Sequence, residues 1–424
     1  MNKPHLVHPK YKWYGVFVCS LGALFYCYEY LLRIEPSVMV PQLMESFQIN
    51  AQGLGWLVGM YYYAYTPMQL VVGISTDHFG PRKVLVTALF LCAAGSLLFG
   101  LSNNLYLAGF GRLLVGAGSA FAFVCALKLA SLWLAPRYFA LFAGLTTALG
   151  MLGAMFGDIG LHKAVINFGW HNVLMMSAIV GAILVPIFLV SIVDRNAAHT
   201  KTSDSIKDLI SGLYAMMKSH QMWFNGLIGC MLYLSLSAFG EMWGIPYLDS
   251  FKGINREMAV QLNSLIFFGW LVGSPLSGWI SDCVKSRRRP LMVGNLLAAA
   301  CILVILFVKF KNPWIYALFL FLLGLFASVE ILCFAVARES TSLRQTATAI
   351  GFTNMVIMFG GMVMQPLVGI LLDYFWGGAY SNGARVYTNL DYHKTLIIVP
   401  CALVAAAVLS YFLKESYRDE KTSA

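Results

Sequence analysis

Residues 73–83 read GISTDHFGPRK, and residues 278–290 read GWISDCVKSRRRP. In each stretch a glycine stands four residues before an aspartate, Gly73 with Asp77 and Gly278 with Asp282, and the two pairs are displaced by the same 205 residues. Each stretch follows a long apolar run and leads into basic residues: Arg82 and Lys83 in the first, Lys285, Arg287, Arg288 and Arg289 in the second. One loop design used at equivalent places predicts a chain built from two similar halves. Glycine at such a loop lets the backbone turn sharply and lets neighbouring helices approach closely.

On either side of these loops, apolar runs of the ~20 residues that a bilayer requires recur along the whole chain. Twelve spans are expected, beginning near Lys12, Gln52, Val84, Leu105, Phe139, Asn172, Met222, Ala259, Pro290, Pro313, Thr346 and Lys394. Six precede and six follow the one long polar connection, which contains AAHTKTSDSIKDL at 197–209. The expected division is a first six-helix bundle over 1–193, a cytoplasmic linker over 194–219 and a second six-helix bundle over 220–424. Composition agrees, because 59% of the 424 residues are hydrophobic and only 11% are charged, against roughly 25% charged in soluble domains. Lipid is the solvent for such a chain, and its fold class is all-α, with twelve transmembrane helices in two pseudo-symmetric bundles. The first apolar run outlasts a signal-peptide core and holds Glu29 and Arg33, so it is expected to be a span and not a cleaved leader.

The formal net charge of +10 follows topology. With both termini inside, nineteen of the 29 Lys and Arg fall in inner segments and seven in outer loops, while Arg33, Arg112 and Lys128 lie within spans. That bias is the positive-inside pattern, which disfavours nucleic acid as a partner and predicts cytoplasmic termini. The cluster Lys285, Arg287, Arg288 and Arg289 suits topology or lipid head groups. Nine scattered cysteines and a few loop histidines form no CxxC, HExxH or other ligand spacing, so neither a metal, an organic cofactor nor an enzyme is expected. Compact loops and the lack of an N-x-S/T acceptor point to a bacterial inner membrane, and a monomer is expected.

The loop motif resembles that of the major facilitator superfamily, which reads roughly G-x-L-A-D-R-x-G-R-K between its second and third helices. Gly73, Asp77, Gly80 and Arg82, followed by Lys83, match it, whereas Ser75, Thr76, His78 and Pro81 depart from it. Arg112-x-x-x-Gly116-x-Gly118 in the fourth span is similar to a second pattern of the family. The resemblance implies alternating access around a site between the bundles, with Asp77 holding the cytoplasmic gate shut. It also implies that Arg112 assists proton coupling or organises the cavity; a structural role through hydrogen bonds to backbone carbonyls is the alternative. FYCYEY at 25–30 and FGRLLVGAG at 110–118 look loosely like the branch containing lysosomal dipeptide transporters. Ser119 and Ala120 stand where that branch has an acidic residue, and the Gly-Pro pair of many drug/proton antiporters is missing from the fifth span.

An ionisable residue at the centre of a span costs about 2.5–3.5 kcal/mol on insertion scales, so it is expected to face a partner or a cavity. Glu29, Arg33, Arg112, Lys128, Glu241 and Glu330 are candidates for solute binding or proton coupling. Glu29 and Arg33 share a helix face, either as a plain ion pair or as a proton acceptor beside a carboxylate-binding guanidinium. Lys128 and Glu330 lie on repeat-equivalent helices, which suits an inter-bundle salt bridge or the two ends of a zwitterion. Glu241 lies in FGEMWGIPYL, where Gly240, Gly244 and Pro246 interrupt the seventh span, and it is expected to meet Arg33 near the outer gate. Glu35, next to Pro36, is expected at the water interface. Tyr28, Tyr62, Tyr65, Trp243, Tyr247 and Gln365 are candidate cavity-lining residues, with Gln69 secondary. Of Tyr61, Tyr62, Tyr63 and Tyr65, only one or two are expected to face a solute. Glycines of the fifth span (Gly144, Gly150, Gly153, Gly157, Gly160) suit helix packing.

Cations beside titratable acids suit a small carboxylate-bearing or zwitterionic solute, such as an organic acid, amino acid, peptide or carboxylate siderophore, taken up with a proton as the coupling ion. Export of a small metabolite, siderophore or drug is the alternative within the same class. A transporter-like membrane receptor without net flux is the alternative outside it.

Overall fold

The computed structural model describes residues 12–134, 136–193, 206–251, 254–341, 346–381 and 384–417; at 12, 73, 74, 77, 78, 136, 137, 139, 140, 206–211, 346, 347, 381 and 384 the backbone alone is described. Eleven stretches among these residues are long and apolar enough to cross a membrane; the 29-residue helix Ala51–Phe79 is not one of them, but it packs along the eleventh span as the twelfth long helix of the arrangement. In lipid each backbone N–H and C=O must be satisfied within its own segment, which is why such runs become helices.

The first six spans are Lys12–Val38, Ala51–Phe79, Pro81–Leu101, Leu105–Trp133, Pro136–Phe168 and Trp170–Ser191. The second six are His220–Asp249, Arg256–Val284, Arg288–Phe307, Trp314–Glu339, Thr346–Phe375 and Asn389–Phe412. A helix over Ile206–Lys218 occupies part of the connection between the halves, and a two-residue antiparallel ladder, Tyr380–Ser381 with Ala384–Arg385, precedes the last span. Polar caps start several helices: Asn50 accepts from the Gly53 N–H, Asn104 from Tyr106, Ser219 from Met222 and Asn255 from Met258. These side chains satisfy amide groups that the first turn leaves without partners.

The repeat extends to backbone conformation. Gly80, at φ +80°, joins the second and third spans, and Lys285, displaced by the same 205 residues, has φ +51°. A left-handed residue is natural for glycine and uncommon for lysine, so the second half keeps the turn without the residue that makes it easy.

An even number of crossings places the described ends of the chain on one face, here termed the terminal face; the other is the far face. The halves meet along the second and eleventh spans, the fifth and eighth, and the first and seventh. Among the described residues, the hydrogen bonds joining the halves lie in the far half of the membrane. The Ala51 N–H donates to the Tyr387 hydroxyl at 2.9 Å, the Gln52 N–H to Asp373 at 2.8 Å, and Arg256 to the Val38 carbonyl at 3.3 Å. A side chain on Gly55 would stand 2.5 Å from the Gln365 carbonyl, and one on Gly369 would strike the Ala51 carbonyl. Nearer the terminal face the approach is an ordinary contact: a Cβ on Gly351 would stand 3.4 Å from the Gln69 carbonyl. The hydrogen bonds and the tightest backbone approaches thus shut the far face.

Gly150, Gly153 and Gly157 pack on Tyr26, Cys27 and Ile34 of the first span, as the small-residue pattern implies, whereas Gly144 and Gly160 touch nothing. Large apolar side chains such as Phe90, Leu145, Phe156, Ile179 and Val408 are exposed within spans, where lipid covers them.

Candidate functional site

Arg33 lies about 30 Å along the first span, at ~1.5 Å per residue. Its guanidinium joins three helices. Nε and Nη2 donate to Glu29 Oε1 at 2.9 and 2.5 Å, within one turn of the same helix. Nε also approaches the Tyr61 hydroxyl of the second span at 3.1 Å. Across the seam between the halves, Nη1 donates to the Tyr233 hydroxyl at 2.6 Å and lies 3.7 Å from Glu241 Oε1. The guanidinium carbon is 4.5 Å from the Tyr30 ring centre and 5.0 Å from that of Tyr65, positions that favour a cation.

Glu241 is held from both halves. The Tyr233 hydroxyl donates to its Oε1 at 2.8 Å, and the Tyr62 hydroxyl donates to Oε2. Tyr61 likewise donates to Glu29. Glu241 stands in a nine-residue stretch of wider π-type helix, Ser235–Trp243, within the seventh span. Such a stretch adds a residue per turn and re-aims the side chains that follow. Glu29, Arg33 and Glu241 are at most 3% exposed. Two carboxylates thus face one guanidinium, so the cluster has a negative surplus whenever both acids are ionised.

The expected meeting of Arg33 with Glu241 is present in the structure. Tyr61, Tyr62 and Tyr65 belong to the cluster, and Tyr63 is turned outward. Arg112 donates to the Leu32 and Arg33 carbonyls at 2.8 and 3.4 Å, so its contacts are those of the structural alternative, bracing the first span behind Arg33. Gln365 donates to the Ser237 carbonyl at 3.2 Å, and Gln69 is buried nearer the terminal face. Trp243 is buried within the π-type stretch.

Four expectations need correction. Among the described residues no ion pair joins Lys128 to Glu330: the Ala122–Trp133 segment packs on the first and fifth spans, while the Ser328–Glu330 turn packs among helices of the second half. Glu35 is buried at 1% exposure, because the helix continues through Pro36 and the carboxyl faces Ser177 and Arg112 of the first half. Tyr28 reaches back into the first half, donating to the Ser177 carbonyl at 2.8 Å. Tyr247 donates to the Ile305 carbonyl at 2.9 Å and so packs inside the second half.

Of the loop motifs, the side chains at Gly73 and Asp77 lie outside the described residues. Arg82, beyond Gly80, donates to the Leu189 carbonyl at 2.6 Å. In the second half Arg287 bridges Asp282 at 2.7 Å and Glu339 at 2.8 Å. The C-terminal segment closes over this loop, with Glu415 accepting from the Arg287 N–H at 2.8 Å and from the Ser286 hydroxyl. A groove of about 520 Å³ beside it is lined by Met222, Glu339, Glu415 and other residues of the linker helix and second half alone, so it is not the passage between the halves.

Tyr30, Tyr233 and Asp158, all towards the far face, are among the residues that have no counterpart in the sequence reading. Asp158 carried a signal, an acid inside the fifth apolar run MFGDIGLH at 155–162. The tyrosines carried none, since an aromatic in a span suits lipid contact equally well.

The model for "Major Facilitator Superfamily" matches residues 18–255 and 245–424. A probable hexose phosphate transport protein of Chlamydia muridarum is 22% identical, over 97% of this chain and 93% of that protein. A membrane sensor protein of Escherichia coli K12 is 23% identical, over 90% of this chain and 91% of that protein. Among solved structures, a bacterial homolog to the human lysosomal transporter Spinster, inward-facing and occupied, superposes with a TM-score of 0.74 at 15% identity. That superposition covers 94% of this chain and 97% of the other.

Proposed function

We propose, for a chain that belongs to the Major Facilitator Superfamily, a secondary carrier that moves a small carboxylate-bearing or zwitterionic solute together with a proton by alternating access. The observation that carries this reading is the Arg33–Glu241 contact across the seam. Arg33 holds Glu29 on its own helix through one edge and reaches the opposite half through the other. A carboxylate on the solute takes the place of Glu241 at that second edge, where a guanidinium can bind it through paired hydrogen bonds. Each anion that enters adds to the negative surplus of the cluster, and a proton taken up by a displaced carboxylate cancels it. Loss of the Arg33–Glu241, Arg33–Tyr233 and Tyr62–Glu241 contacts loosens the seventh span from the first half and lets the far face open. Direction follows the gradients, so export by the same device is the alternative within this class.

The relative named for hexose phosphate transport, whose solute is also an organic anion, supports the charge class. The basic bias of the terminal-face segments supports cytoplasmic termini in a bacterial inner membrane. A second reading, a receptor that binds solute without net flux, is favoured by the relative named a membrane sensor protein.

A thermal-shift screen of the purified protein tests the solute class, with organic acids, amino acids, dipeptides, siderophores, sugars and lipophilic cations as the panel. A ligand at 100 times its Kd stabilises the fold by about 2.7 kcal/mol. The expected outcome is stabilisation by an anionic or zwitterionic compound that is lost in Arg33→Lys, which keeps the charge but not the planar fork. Stabilisation by sugars or lipophilic cations alone contradicts the reading.

A further inference from the structure

Asp158, in the fifth span, is 0% exposed and meets two neutral groups. The Asn263 amide of the eighth span donates to Oδ2 at 2.9 Å. Ser37 Oγ of the first span lies 3.3 Å from Oδ1. Asp158 makes no ion pair with any described residue. An ionised carboxylate sealed in this way, without a cation, is costly.

Ser37 has one O–H, placed 2.8 Å from the Ile34 carbonyl in the preceding turn of its own helix and 3.3 Å from Asp158 Oδ1, so it serves the two acceptors in turn and not together. With Asp158 ionised, Ser37 must give up the shorter contact to donate to a carboxylate that has no cation beside it. With a proton on Oδ1, Asp158 donates to Ser37, Ser37 donates to Ile34, and Oδ2 accepts from Asn263, so that each hydrogen is placed once. The second hydrogen of the Asn263 amide goes to the Gly240 carbonyl at 2.8 Å, in the π-type stretch one residue before Glu241.

We propose that Asp158 is a proton-binding site on the seam between the halves, protonated while the far face is shut. When the first, fifth and eighth spans separate, water enters and the Oδ1–H bond breaks. The proton passes to water, and the electron pair stays on the carboxylate. Loss of that proton leaves a carboxylate that would have to be sealed again without a cation, so the ionised form resists re-closure.

The charged groups on the packed elements are otherwise engaged. Glu241 on the seventh span is bound by Tyr62 and Tyr233, and Arg33 on the first by Glu29. Arg256 on the eighth pairs with Asp249 at 3.2 Å. Glu35 on the first span, Glu257 on the eighth, and His162 and Lys163 about a turn along the fifth are the other charged or titratable side chains towards the far face, and no hydrogen bond or ion pair joins any of them to Asp158 among the described residues. The use made of the proton rests on the proposed proton-coupled transport; the protonation itself does not.

Infrared spectra of the purified full-length protein near neutral pH, without solute or gradient, test the proposal. Asp158→Asn can donate to Ser37 and accept from Asn263 as the protonated acid does, and is expected to fold. The parent-minus-variant spectrum should show a protonated-carboxyl C=O band. Ser37→Ala, which removes the acceptor, should shift that band to higher frequency, and it decides the matter alone if Asp158→Asn does not fold. An ionised-carboxylate band in the first difference spectrum, or no shift in the second variant, overturns the assignment. Because no solute is present, a failure here is separate from a failure of the transport reading.

Discussion

Arg33 connects the first, second and seventh spans through Glu29, Tyr61 and Tyr233, and all of these groups are buried. Removing one member of such a set leaves the others charged and without a partner, at a cost of about 3–5 kcal/mol. Arg33→Ala is therefore expected to lower unfolding stability by that order, measured by denaturant or thermal unfolding in detergent. Glu330 differs, since no described group hydrogen-bonds to it or pairs with it. Glu330→Gln is expected to change stability by less than about 1 kcal/mol while lowering proton-driven flux at least tenfold; lost stability with normal flux would make the residue structural. Charges in spans are legible in sequence because burying them in lipid is costly, and Arg33, Glu29 and Glu241 were found that way. Their partners were not equally legible. Lys128 and Glu330 sit at repeat-equivalent heights, yet pairing depends on whether the halves approach at that level, which height alone does not decide.

At the scale of elements, the second and eleventh spans approach most closely at glycine. A larger side chain at Gly369 meets the Ala51 carbonyl, and backbone cannot move aside as a flexible side chain can. Gly369→Leu is expected to wedge the far face open, at a cost of about 1–3 kcal/mol for overpacking. Spin labels on the far-face ends of these spans should report a longer distance in the variant. On the terminal face, Glu415 caps the start of the ninth span through the Arg287 and Arg288 N–H groups. Partial burial pushes its carboxyl up, but the Arg287 N–H, the Ser286 hydroxyl and the Tyr417 and Arg288 N–H groups outweigh that and hold it below the usual carboxylate value. A depressed value means that the contribution is present above the ordinary carboxylate range and is lost as pH falls through the lowered one. Glu415→Gln should therefore melt earlier than the parent at neutral pH, and the gap should close in acid. The interruption of the seventh span was legible from Gly240, Gly244 and Pro246. The nine-residue length of its π-type stretch was not, because hydrogen-bond register depends on how Asn263 and Gln365 meet its carbonyls.

For the whole molecule, the two loops 205 residues apart and the run of apolar segments were enough to read the twelve-helix, two-half architecture. The shut far face was not readable, since one sequence serves every state of an alternating-access cycle and the balance among them is a few contacts across a seam. Those contacts are the Arg33–Glu241 cluster, the Asp158–Asn263 bond and the ties at Ala51 and Gln52. Proteoliposomes holding the purified protein, alkaline inside and acidic outside, test the transport cycle most directly. The proposed mechanism predicts accumulation of a carboxylate-bearing or zwitterionic solute, abolished by a protonophore and by Arg33→Lys. Net movement of neutral sugars or lipophilic cations alone, or binding without net flux in either direction, would contradict it.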